Sequence, residues 1–278
     1  MLKQRVITAL VLMAFLLPAL FAASAWPFAV LSLLLMAAAG WEWGRLNGAG
    51  AAAVPMGVLL AALCAVALWA GWAAAPPALV WWAATAAWVL GGAFVLRGGP
   101  GAWPTIPVVA RWAVGLALLW TAWLALAHAK NIGINFILSV FCLVWAADIA
   151  AYFGGRAFGK RKLAPAISPG KSWEGVWSGM AGAMLLAALW LWADAAWPMD
   201  SPSLYTRVSG RFGIAGLVLV VVFLALMSVV GDLFESLVKR SAGAKDSSAL
   251  LPGHGGVLDR VDALLPAFPL ALAWVSLT

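Results

Sequence analysis

Long apolar runs constrain this chain more than any other feature of its sequence. The run from Gly213 to Val230 contains no charged residue, and a helix needs ~20 mostly apolar residues to cross the hydrocarbon layer of a bilayer. The chain is 65% apolar and 10% charged, whereas soluble domains are typically ~45–50% apolar and ~25% charged. The runs exclude a soluble α/β enzyme and a disordered scaffold, and they are too continuous for a transmembrane β-barrel.

The spacing of the apolar runs predicts an all-α fold, a polytopic integral membrane helical bundle of about nine transmembrane helices. The first run, Val6 to Ser24, could also be read as a signal peptide. It is longer than the ~7–15-residue core of such a segment, and a second apolar run follows at once. We therefore assign it as the first membrane span. The predicted spans are 6–24, 27–43, 54–74, 78–96, 110–128, 134–153, 174–193, 212–231 and 263–278.

The basic residues predict how the bundle is oriented. Lys and Arg accumulate in the cytoplasmic loops of membrane proteins. Lys3 and Arg5 precede the first apolar run. If that end is cytoplasmic, only Lys130, Arg207 and Arg211 of the 17 basic residues lie on the other side. We therefore predict a cytoplasmic N-terminus, and the net charge of +7 is explained by membrane topology without a nucleic-acid partner.

The acidic residues are distributed unevenly along the chain. Glu42 is the only one before Asp148, and all the others follow. We predict that residues 1–133 form transmembrane helices for scaffold, lipid access and oligomer contacts. Residues 134–278 would carry the chemistry, with cytoplasmic loops 154–173 and 232–262.

The segment 231–262 concentrates charge in a chain that otherwise has little. Asp232, Glu235 and Lys239 recur at spacings of three and four, so a helix that continues from the preceding apolar run would align them. Asp259 and Asp262 are three apart at the start of the last run, which favours one helix face. With Asp232 they form a set of hard oxygen ligands of the kind that suits Mg²⁺. The segment also contains Arg240, Lys245, Asp246, His254 and Arg260.

Between these carboxylates, residues 252–256 read PGHGG. At Gly255 and Gly256 the missing Cβ would let backbone amides approach an anion closely. Carboxylates, cations and a glycine loop in one segment indicate metal-assisted phosphoryl or nucleotidyl transfer. The alternative is a cytoplasmic loop whose charges pair with one another and set topology. His254 could either orient its neighbours or transfer protons.

A second polar segment begins in the sixth predicted span. Asp148, Tyr152 and Arg156 recur every four residues, so they share one helix face. They are candidates for substrate contact, although an Asp–Arg pair that closes a helix end explains the spacing equally well.

Beyond that helix, residues 154–160 read GGRAFGK. The stretch nearly fits a phosphate loop, but Arg161 replaces the required Ser or Thr, and no parallel sheet precedes it, so that interpretation is rejected. Lys160, Ser168 and Lys171 remain candidates for contacts with phosphate groups at the membrane face.

The fixed polar positions of residues 236–262 resemble the C-terminal signature of phosphatidate cytidylyltransferases, also called CDP-diacylglycerol synthases. The chain reads SLVKR from 236, KD at 245–246 and LPGHGGVLDRVD at 251–262, without departure from that signature. The resemblance extends upstream through Asp148 and the stretches 152–163 and 168–175. Gly170 and Ser172 stand where relatives often carry lysine and threonine, which leaves Lys171 as the better candidate there.

The resemblance implies a membrane enzyme that transfers the cytidylyl group of CTP to phosphatidate, giving CDP-diacylglycerol and pyrophosphate. It implies Mg²⁺ as cofactor with K⁺ as a second cation, a homodimer, and a multi-pass inner-membrane protein with its active site on the cytoplasmic side. Asp232 and Asp259 would bind Mg²⁺, with Asp262 and Asp246 as further ligands or their partners. The phosphates would be neutralised by Lys239, Arg240, Lys245 and Arg260, with Lys171 and Ser168 closing the site.

Two other classes of protein could use the same residues. A CTP-dependent lipid kinase would make similar phosphate contacts but would transfer the γ-phosphate to an alcohol. A cation-coupled transporter could also bury Asp148 and Asp232, with binding sites near the bilayer midplane. A membrane scaffold without catalytic activity is disfavoured by the dense polar signature.

Overall fold

The computed structural model describes residues 2–278, with the side chains of residue 4 and of residues 6–278. The side chains of Lys3 and Arg5, on which the predicted cytoplasmic N-terminus partly rests, are not among those described. The elements in chain order are α1 (Leu2–Phe21), α2 (Trp26–Leu46), α3 (Ala53–Trp69), α4 (Ala78–Ala86), α5 (Gly92–Ala102), α6 (Val108–Ile132), α7 (Ile134–Phe158), β1 (Lys162–Ala164), β2 (Ser168–Ser172), α8 (Trp173–Ala196), α9 (Leu204–Ser241), α10 (Leu258–Val261) and α11 (Leu264–Val275).

The helices match the predicted membrane spans. Seven helical stretches in the described chain are long and apolar enough to cross a membrane: Trp26–Leu46, Gly50–Trp69, Ala78–Thr105, Val108–Ile132, Ile134–Phe158, Trp173–Ala196 and Leu204–Ser241. Two shorter apolar helices, Val6–Phe21 and Leu264–Val275, coincide with the first and last predicted spans. The polytopic helical bundle is thus confirmed. The number of crossings and the cytoplasmic N-terminus stay predictions.

The two halves of the chain share one packed interior. The predicted division after residue 133 falls between α6 and α7, but α11 packs against α4 and α6 as well as against α9. Trp43 of α2 stacks on Phe234 of α9, with ring centroids 5.9 Å apart. Such stacked pairs contribute beyond the burial of their area. The polar segment on α9 is therefore held against the N-terminal helices.

Helices α7 and α8 approach closely through small residues. A Cβ atom at Gly179 would lie 2.8 Å from the carbonyl oxygen of Ala147, so only glycine permits this separation. Between the two helices, β1 and β2 form an antiparallel hairpin in which Lys162 pairs with Ser172. Ser172 also caps α8 by accepting a hydrogen bond from the Gly175 amide at 3.2 Å. The all-α prediction contained no strand here.

The polar segment begins in the C-terminal part of helix α9 and follows its apolar part directly. It is 38 residues long, with a kink at Gly213, where φ is 67°. From there the helix continues to Ser241. Asp232, Glu235 and Lys239 therefore lie on one helix, as the spacing predicted.

Candidate active site

A cavity of about 650 Å³ opens where α7, β2, α8 and α9 meet. One face of α7, the hairpin strand β2 and the polar part of α9 each contribute to its wall. Asp148, Tyr152 and Arg156 share one face of α7, as their spacing predicted. The polar side chains that line the cavity are Asp148, Tyr152, Arg156, Ser168, Lys171, Ser172 and Asp232.

An ion pair spans the cavity wall between β2 and α9. The Lys171 ammonium lies 2.7 Å from Oδ2 of Asp232, and the two side chains are 25% and 29% exposed. Ser236 donates to Oδ1 of Asp232 at 3.3 Å. Since both members remain partly accessible, the pair can be reached by a ligand in the cavity.

Asp262 lies next to this pair at the start of the last helical segment. Its backbone packs directly against Gly231, the neighbour of Asp232. Burial, and after it the negative charge of Asp232, raise the pKa of the Asp262 carboxyl. Ala263 donates its amide to Oδ1 of Asp262 at 2.8 Å. The charge of Asp232 therefore acts on Asp262, and a cation near both carboxylates would relieve their repulsion.

Lys239 forms a second ion-pair group further along α9. Its ammonium lies 2.5 Å from Oε2 of Glu235 and 2.6 Å from Oδ1 of Asp259. All three side chains are buried, with at most 10% exposure. A buried charge is tolerated when it is paired in this way. In this arrangement Lys239 binds carboxylates, and its predicted contact with substrate phosphate stays a prediction.

Asp259 is surrounded by donors from the protein. Its Oδ2 atom accepts hydrogen bonds from the Ser247 amide at 2.9 Å, the Ser247 hydroxyl at 2.8 Å and the Gly256 amide at 2.7 Å. Burial opposes ionisation, but the bonds from Lys239, Gly256 and Ser247 outweigh it and hold the pKa of Asp259 below its usual range. The Gly256 amide therefore binds Asp259 in this structure.

Glu42 on α2 contacts the segment of residues 247–258, and no role for it was predicted from the sequence. Its carboxylate accepts hydrogen bonds from Ser247, Ser248, Val257 and Leu258. It is fully buried, at 0% exposure. Its isolation in the sequence could have identified it, because Glu42 is the only acidic residue before Asp148. A lone carboxylate within an apolar helix costs free energy unless it has hydrogen-bond partners.

The other predicted site residues lie at the end of α9, on α10 and on the surrounding loops. Arg240 donates from Nε to the Ile167 carbonyl at 3.3 Å, and Arg260 donates from Nε to the His254 carbonyl at 2.9 Å. These contacts tie the hairpin and the glycine loop to the helices. Lys160, Lys245 and Asp246 are exposed, and so are Arg240 and Arg260.

The carboxylates bear on the predicted metal site. Within the part of the chain that the structure describes, no group of three or more His, Cys, Asp or Glu side chains is arranged to hold a metal ion. Asp232 and Asp262 still fit Mg²⁺ by their chemistry: both are hard oxygen donors, Asp232 lines the cavity, and the backbone of Asp262 packs against the adjacent Gly231. The oxygens of Asp259 are occupied by protein donors. Ligation by Asp232, Asp259 and Asp262 together stays a prediction.

The fold and the site define a class: a multi-pass helical membrane protein whose polar cavity combines carboxylates with fixed cations. A family model described as "Cytidylyltransferase family" matches residues 3–278. The chain therefore belongs to the cytidylyltransferase family, whose members are nucleotide-transferring enzymes.

Relatives of known name agree with this family. The chain is 42% identical over 286 residues to the phosphatidate cytidylyltransferase of Pseudomonas aeruginosa, covering 99% of this chain and 98% of the relative. It is 51% identical over 142 residues to the Haemophilus influenzae enzyme of that name, covering 51% of this chain and 46% of the relative. The chloroplastic phosphatidate cytidylyltransferase 5 of Arabidopsis thaliana is 39% identical over 185 residues, covering 66% of this chain and 38% of the relative. The resemblance seen in residues 236–262 is thus confirmed.

Proposed function

We propose that this protein is a phosphatidate cytidylyltransferase, which transfers the cytidylyl group of CTP to phosphatidate and releases pyrophosphate. Within a chain of this family, the observation that carries the proposal is the Lys171–Asp232 pair in the cavity wall. It sets a cation and a carboxylate at the place where a triphosphate and a lipid phosphate must meet.

The reaction is an in-line displacement at phosphorus. A phosphate oxygen of phosphatidate forms a bond to the α-phosphorus of CTP, while the bond from that phosphorus to the α,β-bridging oxygen breaks. Pyrophosphate leaves with the electron pair of the broken bond. Lys171 and Arg156 line the cavity, so they neutralise the charge that develops on the leaving group. The cations Lys160, Arg240, Lys245 and Arg260 would attract the triphosphate.

No side chain has to act as a strong base. A phosphate monoester is already mostly ionised near neutral pH, so the attacking oxygen carries its electron pair without proton removal. Tyr152 and Ser168 offer hydroxyl groups to phosphate oxygens from the cavity wall. His254 would orient the loop, because its carbonyl receives the bond from Arg260.

Asp232 and Asp262 are the residues that we propose to hold Mg²⁺. When bound, Mg²⁺ supplies Lewis-acid stabilisation of the phosphate oxygens. Asp148 and Asp246 would support the site from α7 and from the loop, and Asp259 would join the ligands only by exchanging its bond from Lys239. K⁺ is proposed as a second cation on the strength of the family resemblance.

The membrane bundle suits a lipid substrate. The cavity lies between helices with exposed aromatic side chains such as Phe153 and Trp177, so acyl chains would enter from the surrounding lipid. We propose a location in the inner membrane with the cavity on the cytoplasmic side, and assembly as a homodimer.

Purified protein in detergent tests the reaction directly. It would be incubated with phosphatidate, CTP labelled in the α-phosphate and Mg²⁺, with and without chelator. Labelled CDP-diacylglycerol and pyrophosphate that form only with metal are the expected result. CDP with a phosphorylated lipid would instead identify a kinase. No turnover in folded protein, combined with nucleotide-independent cation flux in vesicles, would identify a transporter.

A further inference from the structure

We infer that Glu42 is a positioning residue for the reaction: from α2 it closes the loop of residues 247–258 and thereby holds Asp259 in place. We call this segment the clasped loop. The inference rests on the proposed function and extends the site into the N-terminal half of the chain.

The four donors to Glu42 come from the two ends of the clasped loop. The first end contributes the hydroxyl groups of Ser247, at 3.1 Å, and Ser248, at 2.5 Å. The second end contributes the amides of Val257, at 3.0 Å, and Leu258, at 2.8 Å. The carboxylate of Glu42 thus binds both ends of the loop, and it does so from a different helix, α2.

A second contact from the N-terminal half reaches the tip of the clasped loop. Thr8 of α1 donates its hydroxyl to the carbonyl oxygen of Pro252 at 2.8 Å. Helices α1 and α2 therefore hold the loop at its tip and at both ends. The glycine-containing stretch 252–256 is bound by residues far away in the sequence.

The burial of Glu42 shows that this contact is specific. The side chain is at 0% exposure, and within the described part of the chain no lysine, arginine or histidine pairs with it. A buried carboxylate is costly without partners. Its stabilisation here comes from the hydroxyl and amide donors of the loop, so displacing the loop would leave the carboxylate unsatisfied.

Ser247 links Glu42 to the predicted site. Its hydroxyl lies 3.1 Å from Oε2 of Glu42 and 2.8 Å from Oδ2 of Asp259, so its single proton is shared between the two carboxylates. Its amide donates to the same Asp259 atom at 2.9 Å. Asp259 in turn contacts Lys239 at 2.6 Å. A shift of the loop away from Glu42 would therefore move Ser247, then Asp259 and the buried lysine.

Only glutamate matches the donors that face it. Glutamine would direct an NH₂ group at neighbours that are themselves donors, so that at least one loop donor loses its acceptor. Aspartate keeps the charge and both oxygens but is one methylene shorter. Glu42→Gln should therefore disturb the loop more than Glu42→Asp.

The experiment compares Glu42→Gln, Glu42→Asp and Ser248→Ala with the wild type in detergent. Ser32→Ala is the matched control, because Ser32 is a buried polar residue of α2 that bonds only to its own helix. For each protein the amount of folded protein, Tm, kcat, and KM for CTP and phosphatidate are measured.

We expect Glu42→Gln to lower kcat per folded molecule about 100-fold, since it disrupts a carboxylate bonded to several donors. Glu42→Asp should recover at least tenfold of this loss, and Ser248→Ala should lower kcat about tenfold. KM for phosphatidate should stay within twofold, and Ser32→Ala should match the wild type. A residue with only a structural role would lower Tm and yield without changing kcat per folded molecule.

Wild-type kcat in folded Glu42→Gln would overturn the inference. If that variant does not fold, wild-type kcat in Ser248→Ala would overturn it instead. Neither result touches the proposed function, which fails separately if the wild-type protein itself makes no CDP-diacylglycerol.

Discussion

The ammonium group of Lys171 lies 2.7 Å from the carboxylate of Asp232 and joins the hairpin to the long helix α9. Both side chains are partly exposed, so the pair contributes little to folding stability. Both residues line the cavity, and we propose that the pair acts there on substrate and metal. A substrate phosphate can approach the cation, and a metal ion can approach the carboxylate.

Replacing Lys171 with glutamine should lower kcat by about 10²–10³-fold, because one fixed stabiliser of developing charge is lost. Tm should remain near that of the wild type, since the pair is partly exposed. Turnover is measured as CDP-diacylglycerol formed per folded molecule. Lys162→Gln, on the neighbouring strand and outside the cavity lining, is the matched control. Equal kcat in the Lys171 variant and this control would remove Lys171 from the site.

Lys239→Met should destabilise the protein more than any substitution at the cavity wall. It leaves Glu235 and Asp259 as two buried carboxylates without their shared cation, and breaking a buried pair costs about 3–5 kcal/mol. Adding Glu235→Gln should restore part of the loss in Tm, because one uncompensated charge is removed. Thermal unfolding of the single and double variants checks this, and additive losses would contradict it.

Asp232→Asn and Asp259→Asn should each abolish turnover, but for different reasons. Asp232 faces the cavity, whereas Asp259 holds Lys239 and the loop. Asp259→Asn should therefore also lower Tm, while Asp232→Asn should not. The two variants are compared by turnover and by thermal unfolding in detergent. Retained activity in both would rule out the proposed carboxylate site.

Asp262→Asn should raise the Mg²⁺ concentration for half-maximal turnover by about tenfold or more, the scale seen when groups around a metal are changed. Chelator should abolish turnover of the wild-type protein, and Mg²⁺ should restore it. Titrating Mg²⁺ at saturating CTP and phosphatidate separates this effect from substrate binding. An unchanged Mg²⁺ requirement would exclude Asp262 from the ligands.

Gly256→Ala should lower stability by about 1–3 kcal/mol, the typical cost of overpacking. A Cβ atom there would overlap with the side chains of Glu42 and Ser247. Gly210→Ala is the matched control, because a Cβ at that helical position meets no atom within 4 Å. Thermal unfolding of both variants provides the comparison, and equal Tm values would show that the loop tolerates the added methyl group.

Much of the site could be predicted because it depends on local spacing. Asp148, Tyr152 and Arg156 share one helix face because they recur every four residues, and that face lines the cavity. The partners of Lys239 were harder to predict. Glu235 is one turn away on the same helix, but Asp259 is brought near only by the return of the chain after the clasped loop.

The membrane bundle and its polar segments can be predicted from the sequence alone, because apolar runs and helical periodicity depend only on neighbouring residues. Helix packing sets the burial and hydrogen bonds of Glu42, the pairing of Lys171 with Asp232 and the binding of Asp259 by protein donors. These depend on which helices pack side by side. A carboxylate in a nonpolar interior must bind whatever donors that packing provides, and local sequence does not specify them.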